Sequence, residues 1–426
     1  MVPEGSDLED SGVDVLVDAT RAGCGRRLFG MSLLEHALRA LLDAGLEGAR
    51  VWLQENADEP WPLPADLAGK STRLRLERVS GAAPLAKRVA EAAGQARVLL
   101  VLEADAVVDP RLLVHLLGRP GSCAVLGTAP VPGVGKDSAV LRLEGPPLDA
   151  PEARDLASLA RAWIQDGRIE DEPAEAIDGY VKKLRRHLTP WVFRPVSVGD
   201  RDRCERFLFE ANYKGSTDFF TKHVYPPLVW QLVRPLARYR VHPNWVSAFN
   251  VVITFAAIPL FAAGQWIAGL TLAYTMSVLD SVDGKLARLT HRASKLGHVL
   301  DHGLDVVHPP LWYLAWAIGL GGGGWVAAAW WMIGLYVADR LVGEAFTRMT
   351  GGRSIHAWAE VDVRMRTFIS RRNINLPLFT LGLLLGLAGP AFLAIVAWQG
   401  ATLLFHSVRL AQVAREIMAA PTGGAA

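Results

Sequence analysis

The pattern of apolar and polar residues changes near residue 244 of this 426-residue chain. Before that point, short apolar runs alternate with charged and Pro/Gly-rich stretches. Beyond it, long apolar segments follow one another. The first pattern predicts an α/β domain, and apolar runs near 20 residues predict membrane-spanning helices. The chain is therefore predicted to hold an α/β domain at 1–205, a linker with an interfacial helix at 206–243, and a transmembrane domain at 244–426.

In the N-terminal domain, apolar strands and amphipathic helices are predicted to alternate, which is typical of a mainly parallel sheet. The predicted strands are 13–19, 50–53, 74–79, 98–102 and 124–127. The predicted helices are 32–44, 85–93, 110–117, 152–164 and 175–187.

Six apolar segments are predicted to span the membrane as an all-α bundle, several of them near the ~20 residues that a spanning helix needs. They lie at 245–264, 266–289, 297–319, 324–346, 375–390 and 391–409. Lys and Arg gather after the second and fourth segments and in the C-terminal tail, whereas the other three connections carry neither. The positive-inside rule then predicts a multi-pass protein of the cytoplasmic (inner) membrane, with both termini in the cytoplasm.

Residues 218–240, ahead of the first segment, mix aromatic and aliphatic residues with Lys and Arg. This pattern is typical of a helix that lies in the membrane interface. Pro226, Pro227 and Pro235 predict that the helix is bent or broken.

Charge and cysteine content add three expectations. The formal net charge is only +2, and we expect no nucleic-acid partner. The first thirty residues carry several acidic side chains and no apolar stretch, which argues against a cleavable signal peptide. Cys24, Cys123 and Cys204 lack the spacing of metal ligands, so they are predicted to be reduced thiols.

Four carboxylates stand within the apolar segments, where charge is costly and therefore usually functional. Asp280 and Asp283 are three residues apart on the second segment, and Asp301 and Asp305 are four apart on the third. Two helices that face each other through these residues would bring all four carboxylates to one point. Hard divalent cations prefer such oxygen ligands, so a site for one or two ions, Mg²⁺ or Mn²⁺, is predicted.

Gly284, Ala287, Arg288 and Gly297 complete the pattern on the same helix faces. Arg288 is placed to pair with a phosphate group in the forked geometry of a guanidinium. The three small residues either let a ligand approach closely or serve ordinary packing of two helices.

The spacing D-x2-D-G-x2-A-R-x8-G-x3-D-x3-D from Asp280 to Asp305 resembles the signature of the CDP-alcohol phosphotransferase (phosphatidyltransferase) family at every defined position. The resemblance implies a membrane enzyme that transfers a phosphoalcohol group from a CDP-alcohol to a hydroxyl acceptor and releases CMP. It implies a homodimer and two metal ions, bound by Asp280, Asp283 and Asp301. Asp305 would bind metal or act as the base. The residues implied to bind the CDP-alcohol are Gly284, Ala287, Arg288 and Gly297.

Other polar residues accompany these segments. His298 and His302 are four residues apart, a spacing that can bind metal, yet they are turned about 100° from the carboxylates, which favours a packing role. Asp339, Arg340 and Glu344 either line a pocket for the acceptor or pair with one another.

The N-terminal part resembles the sugar-phosphate nucleotidyltransferase family, which has a Rossmann-like fold. Residues 22–28 resemble its Gly-rich phosphate loop, with Gly23 and Gly25 as candidate nucleotide-binding residues, and Asp105 resembles its acidic metal site. The loop is short and lacks the lysine expected to hold a triphosphate, so the domain is either catalytically silent or uses Arg26 or Arg27 instead. The domain order resembles that of bifunctional enzymes of inositol phosphate metabolism, whose first domain makes CDP-inositol.

The chemistry of the acceptor, a polyol or a lipid, stays open at the level of sequence. One alternative is a phospholipid synthase that uses CDP-diacylglycerol and carries a non-catalytic N-terminal domain. Another is a transporter whose intramembrane acids carry protons or cations.

Overall fold

The fold is described from a computed structural model, which describes residues 12–56, 60–68, 73–128, 130–145, 152–182, 184–197 and 199–419. The acidic residues that precede residue 12, which entered the argument against a signal peptide, lie outside these ranges.

A seven-stranded, mainly parallel sheet organises the N-terminal domain. Its strands are β1 (Val13–Asp18), β4 (Arg50–Glu55), β5 (Arg75–Ser80), β6 (Val98–Glu103), β8 (Cys123–Leu126), β9 (Ala139–Glu144) and β10 (Glu170–Asp171). Their order is β10-β8-β9-β6-β1-β4-β5, and only β9 runs antiparallel to its neighbours. Shorter strands form three two-stranded sheets: β2 (Arg27–Leu28) with β3 (Met31–Ser32), β7 (Val107–Val108) with β13 (Val192–Phe193), and β11 (Tyr180–Val181) with β12 (Arg186–His187).

Helices cover both faces of the sheet, and each face has its own apolar core. These helices are α1 (Leu33–Asp43), α2 (Ala65–Ala68), α3 (Leu85–Ala93), α4 (Pro110–Gly118) and α5 (Leu156–Gln165). Helix α6 (Asp200–Ala211) packs instead against the β2–β3 hairpin. Ser32, Asp109 and Asp155 cap α1, α4 and α5 by accepting hydrogen bonds from the first helical turn. The predicted α/β architecture is confirmed.

The helix predicted at 175–187 is wrong. The chain there forms a 3₁₀ turn at Ala174–Ala176 and the β11–β12 hairpin. Asp178 accepts a hydrogen bond from the backbone N–H of Tyr180 at 2.9 Å, and Leu188 N–H donates to the Gly179 carbonyl at 2.7 Å. Aspartate and glycine favour such turns over a helix, which explains why apolar periodicity misled the prediction.

The C-terminal part is helical. Its helices are α7 (Phe219–His223), α8 (Tyr225–Arg238), α9 (Pro243–Ala262), α10 (Trp266–Leu289), α11 (Lys295–Gly319), α12 (Gly324–Met349), α13 (Glu360–Met365), α14 (Arg372–Leu384) and α15 (Ala388–Ala419). The predicted break in the interfacial helix is confirmed, because Val224 separates α7 from α8.

Helices occur at all six segments predicted to span the membrane, but they differ in length and composition. Within the described ranges, α9, α12 and α15 are long and apolar enough to cross a membrane. Helices α10 and α11 carry the charged motif residues. Helix α14 has 13 residues, about 20 Å at 1.5 Å per residue, and is shorter than the hydrocarbon core. The break between the last two helices lies at Leu385–Leu387, where Gly386 has a φ of +70°, rather than at Gly389-Pro390.

The two parts of the chain are packed together through the β2–β3 hairpin. Leu28, Phe29 and Leu33 share one apolar core with Val229 and Val233 of α8 and with the C-terminal turns of α10. Buried Glu205 reinforces this contact. It accepts a hydrogen bond from Phe29 N–H at 3.0 Å and pairs with the Arg234 guanidinium at 2.8 Å.

Candidate active site

A cavity of about 820 Å³ opens between helices α10, α11, α12 and α14. Two further segments contribute to its wall: residues 212–218, which join the two parts of the chain, and residues 354–356, at the start of a 3₁₀ helix (Ile355–Ala357). Three of the four motif carboxylates, those of Asp280, Asp301 and Asp305, line this cavity together with Gly284 and Arg288. The expected convergence of α10 and α11 is therefore present for these three.

Asp283 faces α9 instead of the cavity. It is 5% exposed, and one carboxylate oxygen accepts a hydrogen bond from the Ser247 hydroxyl at 2.7 Å. Its other oxygen accepts from the Gly284 N–H at 2.6 Å. Ala287 and Gly297 likewise do not line the cavity among the described residues. A Cβ at Gly297 would lie 3.1 Å from the Asn244 Oδ1 atom, so this glycine allows close packing of α11 against α9.

Arg372, the first residue of α14, joins two of the carboxylates. Its Nη2 atom lies 2.7 Å from Asp280 Oδ2, and its Nη1 atom lies 3.5 Å from Asp305 Oδ1. In the sequence, Arg372 is one of the Lys and Arg residues that follow the fourth apolar segment. It stands 67 positions after Asp305, so helix periodicity could not connect the two.

Arg288 is held in place by two features. Its Nε atom donates to the Asn212 side-chain oxygen at 3.1 Å. The guanidinium also lies across Gly284, where a Cβ would be 3.3 Å from the Nη1 atom. Glycine at 284 therefore leaves room for the arginine, and Asn212 orients it. Asn212 was missed because it precedes the motif by 68 residues and belongs to the segment between the domains.

The carboxylates that line the cavity fit a hard divalent cation in the type of atom they offer. Arg372 already places positive charge between Asp280 and Asp305, so the site is built to offset their mutual repulsion. Among the described residues, no three His, Cys, Asp or Glu side chains form a group that could hold a metal ion as they stand. A bound ion would therefore require these carboxylates to draw closer.

The cavity is also rich in cations. Besides Arg288 and Arg372, it is lined by Arg185, Lys214, Arg340, Arg366 and Arg371. Arg366 is 6% exposed, and its Nε and Nη1 atoms are buried without a hydrogen-bond partner among the described residues. Burial, with repulsion from Arg371, lowers the pKa of the Arg366 guanidinium well below its usual value. Asp218, which also lines the cavity, and Asp305 attract this guanidinium, but its two buried nitrogen atoms still lack hydrogen-bond partners in the described part of the chain, which favours an anionic ligand.

Helix α12 contributes the three polar residues whose role was left open. Asp339, Arg340 and Glu344 line the cavity. They make contacts with other residues: Asp339 with His406 at 2.6 Å and Glu344 with Arg348 at 2.9 Å. Arg340 donates to the backbone oxygen of Asp305 at 3.0 Å.

The histidines of α11 also reach the cavity. His298 and His302 line it, and their rings are stacked with centroids 6.2 Å apart. His308 is buried, and its Nδ1 atom donates to the Leu304 carbonyl at 2.6 Å. His298 and His302 thus share the cavity wall with Asp301 and Asp305, whereas the sequence favoured a packing role, and His308 packs within α11.

The residues of the candidate nucleotide site in the N-terminal domain lie close together, but the charged side chains there form ion pairs with one another. Gly23 packs against Asp105, since a Cβ there would lie 2.9 Å from the Asp105 Cβ. Arg194 pairs with Glu103 at 2.5 Å and with Asp105 at 3.1 Å. The Trp61 ring covers Gly25, where a Cβ would lie 2.6 Å from its nearest atom. Ion pairs and an indole ring thus occupy the place where phosphate and metal would bind. Cys24, Cys123 and Cys204 are free and buried.

Comparisons with known proteins agree with the motif. Residues 240–413 match the CDP-alcohol phosphatidyltransferase family. Over 78 residues the chain is 36% identical to archaetidylinositol phosphate synthase from Aeropyrum pernix, a match that spans 18% of this chain and 40% of that relative. The chain thus covers less than half the length of this relative. The predicted resemblance to the family is confirmed for the C-terminal part.

A structural likeness involves the N-terminal part. A putative glucose-1-phosphate thymidylyltransferase from Bacillus anthracis, in complex with sucrose, aligns with 46% of this chain and 93% of its own. The sequence identity is 9% and the TM-score is 0.30.

Proposed function

We propose that the CDP-alcohol phosphotransferase domain carried by the C-terminal part of the chain transfers a phosphoalcohol group from a CDP-alcohol to an acceptor hydroxyl. One observation carries the proposal: Asp280, Asp301, Asp305 and Arg288 of the family motif line a single cavity. The acids supply the negative charge that metal binding needs, and the arginine supplies positive charge for a diphosphate.

In the proposed reaction, the acceptor hydroxyl oxygen attacks the β-phosphorus of the CDP-alcohol and forms a new P–O bond. The bond from that phosphorus to the bridging diphosphate oxygen breaks, and CMP leaves with the electron pair. Asp305 takes the hydroxyl proton, and Arg288 pairs with the diphosphate.

A divalent cation, Mg²⁺ or Mn²⁺, would be held by Asp280, Asp283, Asp301 and Asp305 and would neutralise charge on the diphosphate. Asp283 keeps lone pairs beyond the two hydrogen bonds that it accepts, so it stays in the proposed set. Two ions are proposed on the strength of the family resemblance.

We further propose that the acceptor carries a phosphate group of its own. Buried Arg366 and half-buried Arg371 carry positive charge that a neutral polyol would not pair. The A. pernix relative is named as the synthase of a phosphate-containing product, archaetidylinositol phosphate, which agrees with a phosphorylated acceptor.

The placement in the membrane is also part of the proposal. Six spans, both termini in the cytoplasm and a cytoplasmic cavity agree with the loop charges, and a homodimer follows from the family resemblance. At the cytoplasmic end of α10 and α11, the cavity would admit a soluble nucleotide.

A specific observation favours one alternative, a CDP-diacylglycerol-dependent phospholipid synthase. Leu296, Val299, Val306 and Val307 expose between 41% and 65% of their surface on α11 beside Asp301 and Asp305. The acyl chains of a lipid donor could pass along this apolar face.

The decisive experiment offers purified full-length protein and Mg²⁺ a panel of CDP-alcohols with phosphorylated and unphosphorylated acceptors. We expect CMP release that depends on the acceptor, with the product identified by mass spectrometry. Product phosphorus in the organic phase would favour the lipid-donor alternative. Absence of CMP release from every CDP-alcohol, together with ion flux in vesicles, would instead indicate a transporter.

A further inference from the structure

The β11–β12 hairpin of the N-terminal domain reaches the cavity of the helical part. Its turn carries Arg185, whose side chain lines the cavity beside Arg366 and Arg371. This arginine lies within the domain predicted at 1–205 and far from the motif. The soluble part of the chain therefore supplies part of the wall of the proposed active site.

The hairpin is held firmly in this position. Leu184 accepts a hydrogen bond from Gly215 N–H at 2.8 Å, and a Cβ at Gly215 would lie 2.6 Å from the Arg185 carbonyl oxygen. Arg186 donates to the backbone oxygens of Glu210 and Tyr213, each at 3.3 Å. The turn is thus clamped onto the segment between the domains.

That segment is tied in turn to the far wall of the cavity. The Ser216 hydroxyl donates to the His356 carbonyl at 2.7 Å, next to the loop that leads to Arg366. The backbone of Arg185 has a φ of +52°, a conformation that non-glycine residues seldom adopt and that the surroundings must impose. Residues held in this way occur often at ligand sites.

The side chain of Arg185 is available for a ligand. Other arginines of the same domain are paired: Arg50 with Asp14 at 2.7 Å and Arg88 with Asp18 at 3.0 Å. Among the described residues, the structure gives the Arg185 guanidinium neither a hydrogen bond nor an ion pair. It shares the cavity with Arg366, whose buried nitrogen atoms also lack partners there.

We propose that Arg185 is a substrate-binding residue for the anionic group of the acceptor, so that the soluble domain completes the acceptor pocket of the transferase. The inference rests on the proposed function. It gives the N-terminal domain a role in transfer that needs no nucleotidyltransferase chemistry. The ligand class is a phosphate monoester, to which a guanidinium can donate two parallel hydrogen bonds.

The first test is kinetic and uses the full-length chain. Arg185→Gln is expected to raise the KM for a phosphorylated acceptor about 10-fold or more, because the loss of a hydrogen bond to a charged group weakens binding by about that factor. The KM for the CDP-alcohol should stay within about twofold, and Arg185→Lys should restore part of the acceptor affinity.

A matched control removes one charge from the same turn. Lys182 is exposed and does not line the cavity, so Lys182→Gln should leave both KM values unchanged. An unchanged acceptor KM in Arg185→Gln would overturn the inference. Equal increases of both KM values, together with a lower unfolding temperature, would also overturn it, because they indicate a structural role.

The second test does not depend on turnover. Inorganic phosphate should raise the thermal unfolding temperature of the wild-type chain and of Lys182→Gln more than that of Arg185→Gln. If the wild type turns over no CDP-alcohol, the proposed function fails, yet this comparison still decides whether Arg185 binds phosphate. Equal phosphate stabilisation of wild type and Arg185→Gln would refute the inference.

Discussion

Asp305 lies between the carboxylates of the cavity and the arginines of α12 and α14. Its side chain is 3.5 Å from Arg372, and its backbone oxygen accepts a hydrogen bond from Arg340. Asp305→Asn should abolish transfer, with a loss of about 10²–10⁴-fold, because an amide cannot accept the proton of the attacking hydroxyl. The dissociation constant of the CDP-alcohol should change little, since Arg288 and Asp280 remain.

Rates of CMP release and equilibrium binding of the CDP-alcohol separate these two effects. Glu360→Gln is a suitable control, because this exposed glutamate pairs only with Arg364 on α13 among the described residues. Wild-type turnover in Asp305→Asn would refute the assignment of the base.

Individual residues show where prediction from sequence ends. The motif placed Asp280, Asp301 and Arg288 correctly on facing helices, because their spacing follows helix periodicity. Asn212 and Arg372 contact these residues from distant parts of the chain. Such contacts depend on tertiary packing and leave no local pattern.

At the scale of elements, the β2–β3 hairpin decides how the two parts of the chain pack. Gly30 has a φ of +77°, and a Cβ there would lie 2.5 Å from the Ala237 backbone oxygen on α8. Gly30→Ala combines an unfavourable φ, about 1–2 kcal/mol, with overpacking of about 1–3 kcal/mol against a backbone that cannot yield easily.

Gly48 offers a matched comparison. Its φ is +80°, and a Cβ there would meet nothing within 4 Å, so Gly48→Ala carries the backbone cost alone. In thermal unfolding of the full-length protein, Gly48→Ala should lower the midpoint by a few degrees, and Gly30→Ala should lower it by at least about twice as much. Equal decreases of the unfolding midpoint in the two variants would show that Gly30 of the hairpin does not pack closely against α8.

The same contact should respond to pH through His36 on α1. This side chain is 5% exposed, and its Nε2 atom donates to the Leu28 carbonyl of the hairpin at 3.0 Å. Burial, with repulsion from His291, lowers the pKa of His36 to about 3, below the ordinary value of 6.5. Stability from a neutral His36 is then fully present above pH 6.5 and is lost as the pH falls towards 3.

From these pKa values, protonation linked to His36 should lower the free energy of unfolding by about 2 kcal/mol when the pH falls from 7 to 5. Denaturation of the wild type and of His36→Gln at both pH values isolates this contribution, because the other titrating groups are common to both. Parallel losses in the two proteins would mean that His36 does not titrate in this range.

Elements differ in how well their sequence predicts them. Helix α10 begins and ends at the predicted residues, because a long and nearly continuous apolar run is a strong signal for a helix. The β11–β12 hairpin was predicted as a helix, since local turn bonds and tertiary contacts outweigh periodicity there. This hairpin carries Arg185, so the wrong element hid a candidate site residue.

For the molecule as a whole, the N-terminal domain contacts the helical part through the β2–β3 and β11–β12 hairpins and through α1, where Glu35 pairs with Arg240 and Asp43 with His291. The β2–β3 hairpin packs on α8 and α10, and the β11–β12 hairpin reaches the cavity. These contacts do not involve the internally paired residues around Gly23 and Asp105, which are the candidate nucleotide site. The N-terminal domain can therefore support the cavity whether or not it binds a nucleotide.

Membrane orientation gives the last prediction. Of the six helices at predicted spans, α10 and α11 carry charged residues and α14 is short, so hydropathy alone supports only α9, α12 and α15 within the described ranges. The loop charges nevertheless predict an even number of crossings between the N-terminal domain and the C-terminal tail. Gly324, the first residue of α12, should then face outward, and Arg364, on α13, should face the cytoplasm.

Single cysteines introduced as Gly324→Cys and Arg364→Cys test this in intact cells with a membrane-impermeant maleimide. Neither site is crowded, because a Cβ at Gly324 meets nothing within 4 Å and Arg364 is exposed. The native cysteines are at most 1% exposed, so background labelling should be low. We expect Gly324→Cys to react at once and Arg364→Cys only after permeabilisation. The reverse pattern would place the cavity on the outer face, where a cytoplasmic CDP-alcohol could not reach Arg288.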